Sequence, residues 1–311
     1  MINICKNYII VLFSLSLIIS NSNFTIKNNS SGEFELGLDD HIDKMHDLKS
    51  QLNSNEISFE ETILPSYSTF YQIKDGLDID VSYNSENISV DFLNDKSKNK
   101  IINNVNLQDQ YFPENNLIVS DYMVFRGLVV KQITFYPFRV NLSTGELESI
   151  ENASIFIKEY QTQTNREYKE QKKSKLFEDF YQDLIINYES SNRNDEYQSP
   201  SILYICGGSS YNNSYVQDLF DWRHKSGYIV NHVSTDEIGS SSSSVKNYIQ
   251  NAYDNWENPP EIVGLIGDTG GSYSIGYYTE NWSGYGGAGD LPYTQLDGTD
   301  LLPEVLIGRI S

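Results

Sequence analysis

The sequence predicts two domains in series, a β-rich one followed by an α/β one built on a parallel sheet. Three observations predict this. Apolar and polar residues alternate along much of the first half; helical stripes alternate with short apolar runs after residue 200; and 311 residues exceed the ~100–200 usual for one domain.

In the first half, Leu77-Asp78-Ile79-Asp80-Val81 and Ile88-Ser89-Val90-Asp91-Phe92 carry a period of two. Successive strand side chains point to opposite faces, so this is the pattern of a half-buried strand. Residues 127–140 are dense in β-branched and aromatic side chains, and Asn141-Leu142-Ser143-Thr144-Gly145 supplies turn chemistry. Leu147 and residues 153–157 resume the pattern. Short strands separated by turns point to a sandwich or small barrel over 56–160. Upstream, 23–55 is polar without sustained periodicity and reads as a flexible lead-in.

Residues 161–200 read as a linker holding one amphipathic helix. Phe177, Phe180, Tyr181, Leu184 and Ile185 fall on a single helical face. The hydrophilic stretch 189–200, which ends in Pro200, marks the domain boundary. Arg193 within it is a candidate processing point.

From 201 to 311 strand and helix alternate. Residues 202–205 form a short apolar strand closed by Gly207-Gly208; a helix with Val216, Leu219, Phe220 and Trp222 follows and stops at Gly227. Residues 228–233 form the next strand. Ser244 can cap a helix carrying Val245, Tyr248, Ile249, Ala252, Tyr253 and Trp256, ended by Pro259-Pro260. Residues 262–266 are a third strand closing at Gly267-Asp268. This β-α-β-α-β order requires parallel strands joined by right-handed crossovers. A Gly/Tyr-rich loop over 269–289 leads to two further strands at 291–296 and 304–310.

The formal net charge is -21, which opposes any nucleic-acid backbone and draws cations. At the N-terminus, Lys6 precedes an apolar run over 9–19, and Ser20-Asn21-Ser22 supplies small residues beyond it. Residues 1–22 therefore read as an export signal, too short and too soon ended for a spanning anchor. The expected location is secreted, extracellular or cell-surface, with no membrane span after cleavage and no nucleic-acid partner. Of the two cysteines, Cys5 falls in the leader and Cys206 remains, so the mature stretch forms no internal disulfide.

Four features in series resemble the gingipain family of cysteine peptidases. They are Asp221-Trp222-Arg223-His224-Lys225-Ser226-Gly227-Tyr228; Thr235-Asp236-Glu237-Ile238-Gly239; Ile249-Gln250-Asn251-Ala252-Tyr253 with Val263-Gly264-Leu265-Ile266-Gly267-Asp268; and Leu296-Asp297-Gly298-Thr299-Asp300 with the run from Pro303 to Ser311. Earlier, Phe125-Arg126-Gly127 and Phe135-Tyr136-Pro137-Phe138-Arg139 resemble the family's β-rich pro-domain. The resemblance implies a caspase-like α/β catalytic domain kept latent by a pro-domain held in cis, with protein or peptide substrates. It also implies that the family's catalytic His and Cys follow later strands, so the catalytic domain here is its N-terminal part.

Candidate sites follow. Cys206 ends an apolar strand with no His close in sequence, and reads as buried and structural; His224 and His232 read as structural or surface residues. Asp268, Asp297, Asp300 and Glu304 are the candidate metal ligands, because calcium takes several carboxylate and carbonyl oxygens and the resemblance implies a structural calcium near this turn. The alternative is that Asp297-Gly298 is only a turn and Asp268 only a cap. Gly207-Gly208-Ser209-Ser210 lacks the glycine spacing of a nucleotide-binding loop. The serine run 240–244 and the Tyr273, Tyr277, Tyr278, Trp282, Tyr285 segment read as loops. The expected function is a secreted cysteine-type endopeptidase zymogen, inactive as these residues alone; the alternative is a non-catalytic secreted binding or adhesion protein on the same scaffold.

Overall fold

The computed structural model describes residues 24–28, 33–38, 66–92, 111–141, 143–163, 171–189, 196–282, 285–298 and 300–311. The export signal expected over 1–22 lies outside them, as does Arg193. The chain forms two compact units. The first takes residues up to Tyr122, Val130–Arg166 and Asp183–Tyr188; the second takes Met123–Val129, Glu167–Gln182 and Glu189–Ser311.

The first unit is two antiparallel sheets. Its strands are β1 (Phe24–Asn28), β2 (Glu33–Leu38), β3 (Tyr67–Gln72), β4 (Leu77–Phe92), β5 (Tyr111–Phe112) and β6 (Leu117–Val119). After β7 (Met123–Phe125), which belongs to the second unit, come β8 (Leu128–Phe135), β9 (Phe138–Asn141) and β10 (Glu146–Gln161). Long β10 is the spine of one sheet. It pairs with β4 from Glu146↔Phe92 to Gln161↔Leu77, and on its other edge with β2 and β9. The second sheet runs β3-β8-β6. Leu147, Ile155 and Ile157 of one sheet and Val130, Ile133 and Phe135 of the other are at most 1% exposed. Tyr83 meets Phe135 edge-on at 5.2 Å between ring centres, the geometry that aromatic quadrupoles favour.

Two features differ from the sequence reading. The stretch read as a lead-in supplies β1 and β2, because the backbone of Glu33–Leu38 pairs with the edge of β10, a partner more than a hundred residues away. Ile88, Val90 and Phe92 do form strand, but they are 52–70% exposed. Period-two alternation requires a covering layer to become burial, and the second sheet meets β4 near Tyr83, not at its far end.

The second unit is built on a parallel sheet of four strands in the order β12-β11-β13-β16. These are β11 (Ser201–Cys206), β12 (Ile229–Ser234), β13 (Ile262–Ile266) and β16 (Leu306–Ile310), with the hairpin β14 (Tyr278–Trp282) and β15 (Tyr285–Gly289) between the last two. Helices α1 (Lys175–Leu184), α2 (Ser214–Lys225) and α3 (Ser242–Asn255) complete the unit, apart from the last residues of α1, which fall to the first.

Every residue of β11 is buried, as a central parallel strand covered on both faces must be. Its alternate side chains feed two cores. Leu203 and Ile205 pack with Val245, Ile249, Ala252 and Tyr253 of α3. Ile202, Tyr204 and Cys206 pack with Phe220 of α2. The helices start where the chemistry allows: Asn213 accepts from the Tyr215 N–H at 2.9 Å, and Ser241 from the Ser244 N–H at 3.1 Å, each satisfying a first-turn donor.

Residues 291–296 are not the expected strand. Leu291–Tyr293 is a short 3-10 turn with Pro292 inside it; Pro has no N–H to give a ladder, and Tyr293 is instead buried with its hydroxyl donating to the Gly276 carbonyl at 2.7 Å. Trp222, read as an apolar helix position, is 56% exposed.

Truncating Ile249 to Ala, at the centre of the α3 core, is expected to lower stability by about 2–5 kcal/mol. Ile88→Ala on the exposed end of β4 should change it by less than about 0.5 kcal/mol. Urea unfolding of the two variants measures both.

Candidate functional site

The two edges of the parallel sheet carry different chemistry. At the carboxyl edge, an open cavity of about 640 Å³ lies between the β11–α2 connection and the loop after β13; Ser210, Asn212, Asn213, Tyr215, Asp268 and Tyr273 help to line it. Open α/β sheets hold ligands at this edge, where strands stop and loops diverge. The N-terminus of α2, capped by Asn213, borders the cavity.

Cys206 ends β11 just beneath this edge and is fully buried. Burial pushes its thiol up to about 11, against a smaller lowering from the Ser210 hydrogen bond. The loop after β13 lies directly on the strand end: a Cβ placed on Gly207 would stand 2.1 Å from the Tyr273 carbonyl oxygen, so only glycine permits that approach. A nucleophilic cysteine needs thiolate character and access, and Cys206 has neither. His224 and His232 are exposed, and His232 is stacked on Phe220 at 5.1 Å.

Of the four candidate metal ligands, the structure gathers three and separates one. Asp268 follows β13 at the carboxyl edge, where it is exposed and accepts from the Thr269 N–H at 2.7 Å. Glu304 precedes β16 at the amino edge, since β13 and β16 are paired in parallel from Ile262↔Leu306 to Ile266↔Ile310. Five strand residues at ~3.3 Å each lie between the two levels, so Asp268 shares no site with Glu304. The β-α-β reading places strands in order but leaves this vertical offset to the register.

Glu304 is 0% exposed. Its Oε2 accepts from the Leu296 N–H at 2.5 Å and the Asp297 N–H at 3.2 Å, while its Oε1 is buried without a hydrogen-bond partner. Asp300 accepts from the N–H groups of Leu302 and Val124, each at 2.8 Å. Asp297 accepts from the Tyr253 hydroxyl at 2.7 Å. These carboxylates thus brace the turn as acceptors. Among the described residues no group of three or more His, Cys, Asp or Glu side chains is arranged to hold a metal ion.

Sequence reasoning did not single out Arg126 as a site residue. It is buried in the second unit, with Nη1 donating to the carbonyls of Pro260 at 3.0 Å and Glu304 at 2.5 Å. Its sequence signs were the turn-permitting Gly127 that follows it and the Phe125-Arg126-Gly127 run that resembles the family's pro-domain.

Burial pushes the Glu304 carboxyl up from 4.5 to about 8, and the Asp297 and Asp300 charges add to this against two backbone N–H bonds. Burial also raises Asp300. The folded state therefore holds a Glu304 proton that the unfolded chain releases near 4.5. The resulting stabilisation is full below that pH and is lost as pH rises through about 8. The stability difference between wild type and Glu304→Gln should accordingly move against wild type between roughly pH 5 and pH 9. Urea midpoints measured across that range, running parallel for the two proteins, would rule out a buried neutral Glu304.

Residues 195–311 match the family described as Peptidase family C25, and residues 78–195 match its propeptide, Propeptide_C25. Gingipain R2 of Porphyromonas gingivalis is 23% identical over 217 residues, covering 66% of this chain and 27% of that protein. Gingipain R1 of the same organism is 23% identical over 216 residues, covering 66% and 20%. The chain thus spans about a quarter or less of the length of these relatives. Among solved structures, the complex of Porphyromonas gingivalis RgpB pro- and mature domains matches with 14% identity and a TM-score of 0.36, over 54% of this chain and 100% of that one. Two adjoining matches, propeptide and then peptidase, together run from residue 78 to residue 311 and mark that stretch as a gingipain-like propeptide and peptidase C25 region.

Proposed function

We propose that this chain is the leading part of an exported cysteine-type endopeptidase zymogen, and that the residues performing hydrolysis lie outside its 311 residues. The observation that carries the reading is the contrast at the carboxyl edge. An open cavity lies there, yet Cys206, the one cysteine among the described residues, is a buried thiol under a backbone lid, its pKa pushed up to about 11. A covalent peptidase mechanism needs a thiolate paired with a base; Cys206 is structural, so the nucleophile comes from elsewhere in the protein. The pro-region, the scaffold strands and part of the cleft are what these residues supply. Residues 1–22 direct export in this reading, and no helix among the described residues is long and apolar enough to cross a membrane.

Calcium is a second proposal and is confined to Asp297, Asp300 and Glu304, with Asp268 excluded by its position. Support comes from the unpartnered buried Oε1 of Glu304, an oxygen of the kind calcium prefers. Thermal unfolding that is the same in excess calcium and in excess chelator removes it.

The 311-residue protein should leave generic peptide and casein substrates uncut, whereas the full-length protein should cut them after processing. Cys206→Ala in the full-length protein is expected to retain peptidase activity within about twofold, because Cys206 touches no substrate. Loss of activity in that variant, with folding intact, would return the nucleophile role to Cys206. A processed full-length protein with no peptidase activity under any condition favours the binding-protein alternative. N-terminal sequencing of exported protein, expected to begin near Asn23, tests the leader.

A further inference from the structure

Arg126 is the only Lys or Arg in the buried class among the described residues, at 3% exposure. It falls within the propeptide match, yet residues Met123–Val129 belong to the second compact unit. Its backbone φ is 43° and that of Gly127 is 81°. Two successive left-handed residues make the tight turn that joins β7 to β8, a conformation a long side chain rarely adopts. Something in the fold holds it there.

The side chain supplies that hold. Nη1 donates to the Pro260 and Glu304 carbonyls, and Nη2 to Gln198 Oε1 at 3.2 Å and the Pro259 carbonyl at 3.4 Å. The guanidinium lies 4.9 Å from the Phe177 ring centre and 5.6 Å from that of Tyr253. Gln198 precedes β11, the two prolines precede β13, and Glu304 precedes β16. One planar cation therefore ties together the approaches to three parallel strands, at the edge opposite the cavity. Beside it, the Val124 N–H donates to Asp300, the Tyr181 hydroxyl donates to the Arg126 carbonyl at 3.2 Å, and Phe125 packs edge-on to Phe177 and Tyr181. A flexible ammonium has no fork with which to reach these acceptors together.

We propose that Arg126 is the pin that keeps the pro-region seated in the peptidase fold once the polypeptide is cut between residues 190 and 195, and that it braces the 297–304 turn without entering the cleft. This rests on the zymogen reading only for the assumption that such a cut occurs. The acceptors Gln198, Pro259, Pro260 and Glu304 all lie in the peptidase match, and the donor lies in the propeptide match. Cutting the connection removes none of these bonds, so the pieces stay joined through them.

The test uses the full-length precursor with a specific protease sequence placed within residues 190–195, cut and then followed by native size-exclusion chromatography over time. Wild-type pieces should co-elute. Those of Arg126→Ala should separate about 30-fold faster or more, the effect expected for truncating one partner of a buried, hydrogen-bonded charge. Arg126→Lys should fall between them. Hydrogen exchange at the Val124, Leu296, Asp297 and Leu302 amides should quicken in the same order, a readout that general loosening elsewhere does not produce selectively. Immediate separation of the wild-type pieces overturns the proposal, and so does wild-type retention in Arg126→Ala. Should Arg126→Ala fail to fold, Arg126→Lys decides: retention equal to wild type overturns the pin, faster release upholds it. The readout is association, so absence of peptidase activity defeats the functional reading and leaves this one standing.

Discussion

Burial of β11 on both faces is the constraint from which the second unit follows. A strand with six buried residues has no solvent to satisfy its backbone, so β12 and β13 must pair with its two edges, and they do so in parallel register. Its side chains must then be covered from both sides, which commits α2 to one face and α3 to the other. Parallel pairing also fixes direction: all four strands end at one edge and begin at the other. Cavity and acidic turn are consequences of that polarity.

The two edges solve opposite problems. At the carboxyl edge the loop after β13 presses onto Gly207, which seals Cys206 while leaving an open cavity beside it. At the amino edge, the Pro259 carbonyl accepts from the Ser201 hydroxyl at 2.7 Å and the Gln198 amide at 3.0 Å, and the Pro260 carbonyl from Arg126 at 3.0 Å. Arg126 donates to the Pro260 and Glu304 carbonyls, and the attraction of Glu261 works against the cost of burying its charge. The same turn holds a carboxyl that burial keeps protonated into neutral pH. An acidic protein thus keeps a hidden proton where it might have kept an ion pair.

Much of this architecture was legible in particular residues. The stripe Val245, Ile249, Ala252, Tyr253 became the buried face of α3, and the apolar run at 202–205 became the central strand, because a helical period and an unbroken apolar run each have one packing solution. Phe177 and Tyr181 likewise became the buried side of α1. Where reading failed, a distant partner decided. Glu33–Leu38 is strand because β10 lies beside it, Ile88 is exposed because nothing described covers it, and residues 291–293 coil because Tyr293 has a pocket to fill. Of the four candidate carboxylates, Asp297, Asp300 and Glu304 lie about one turn and Asp268 stands at the other edge, an offset set by strand register.

By itself the sequence determined the strand and helix order over residues 201–266, the parallel α/β class of the second half, the breaks after its helices, and the motifs that resemble the gingipain family. These are local properties, carried by side-chain period, glycine, proline and short polar caps within a few residues of where they act. Only the tertiary structure decided which edge each carboxylate occupies, and that Arg126 belongs to a unit whose other segments begin some forty positions later. Such facts depend on strand register and on contacts between residues far apart in the chain, and no local pattern encodes either.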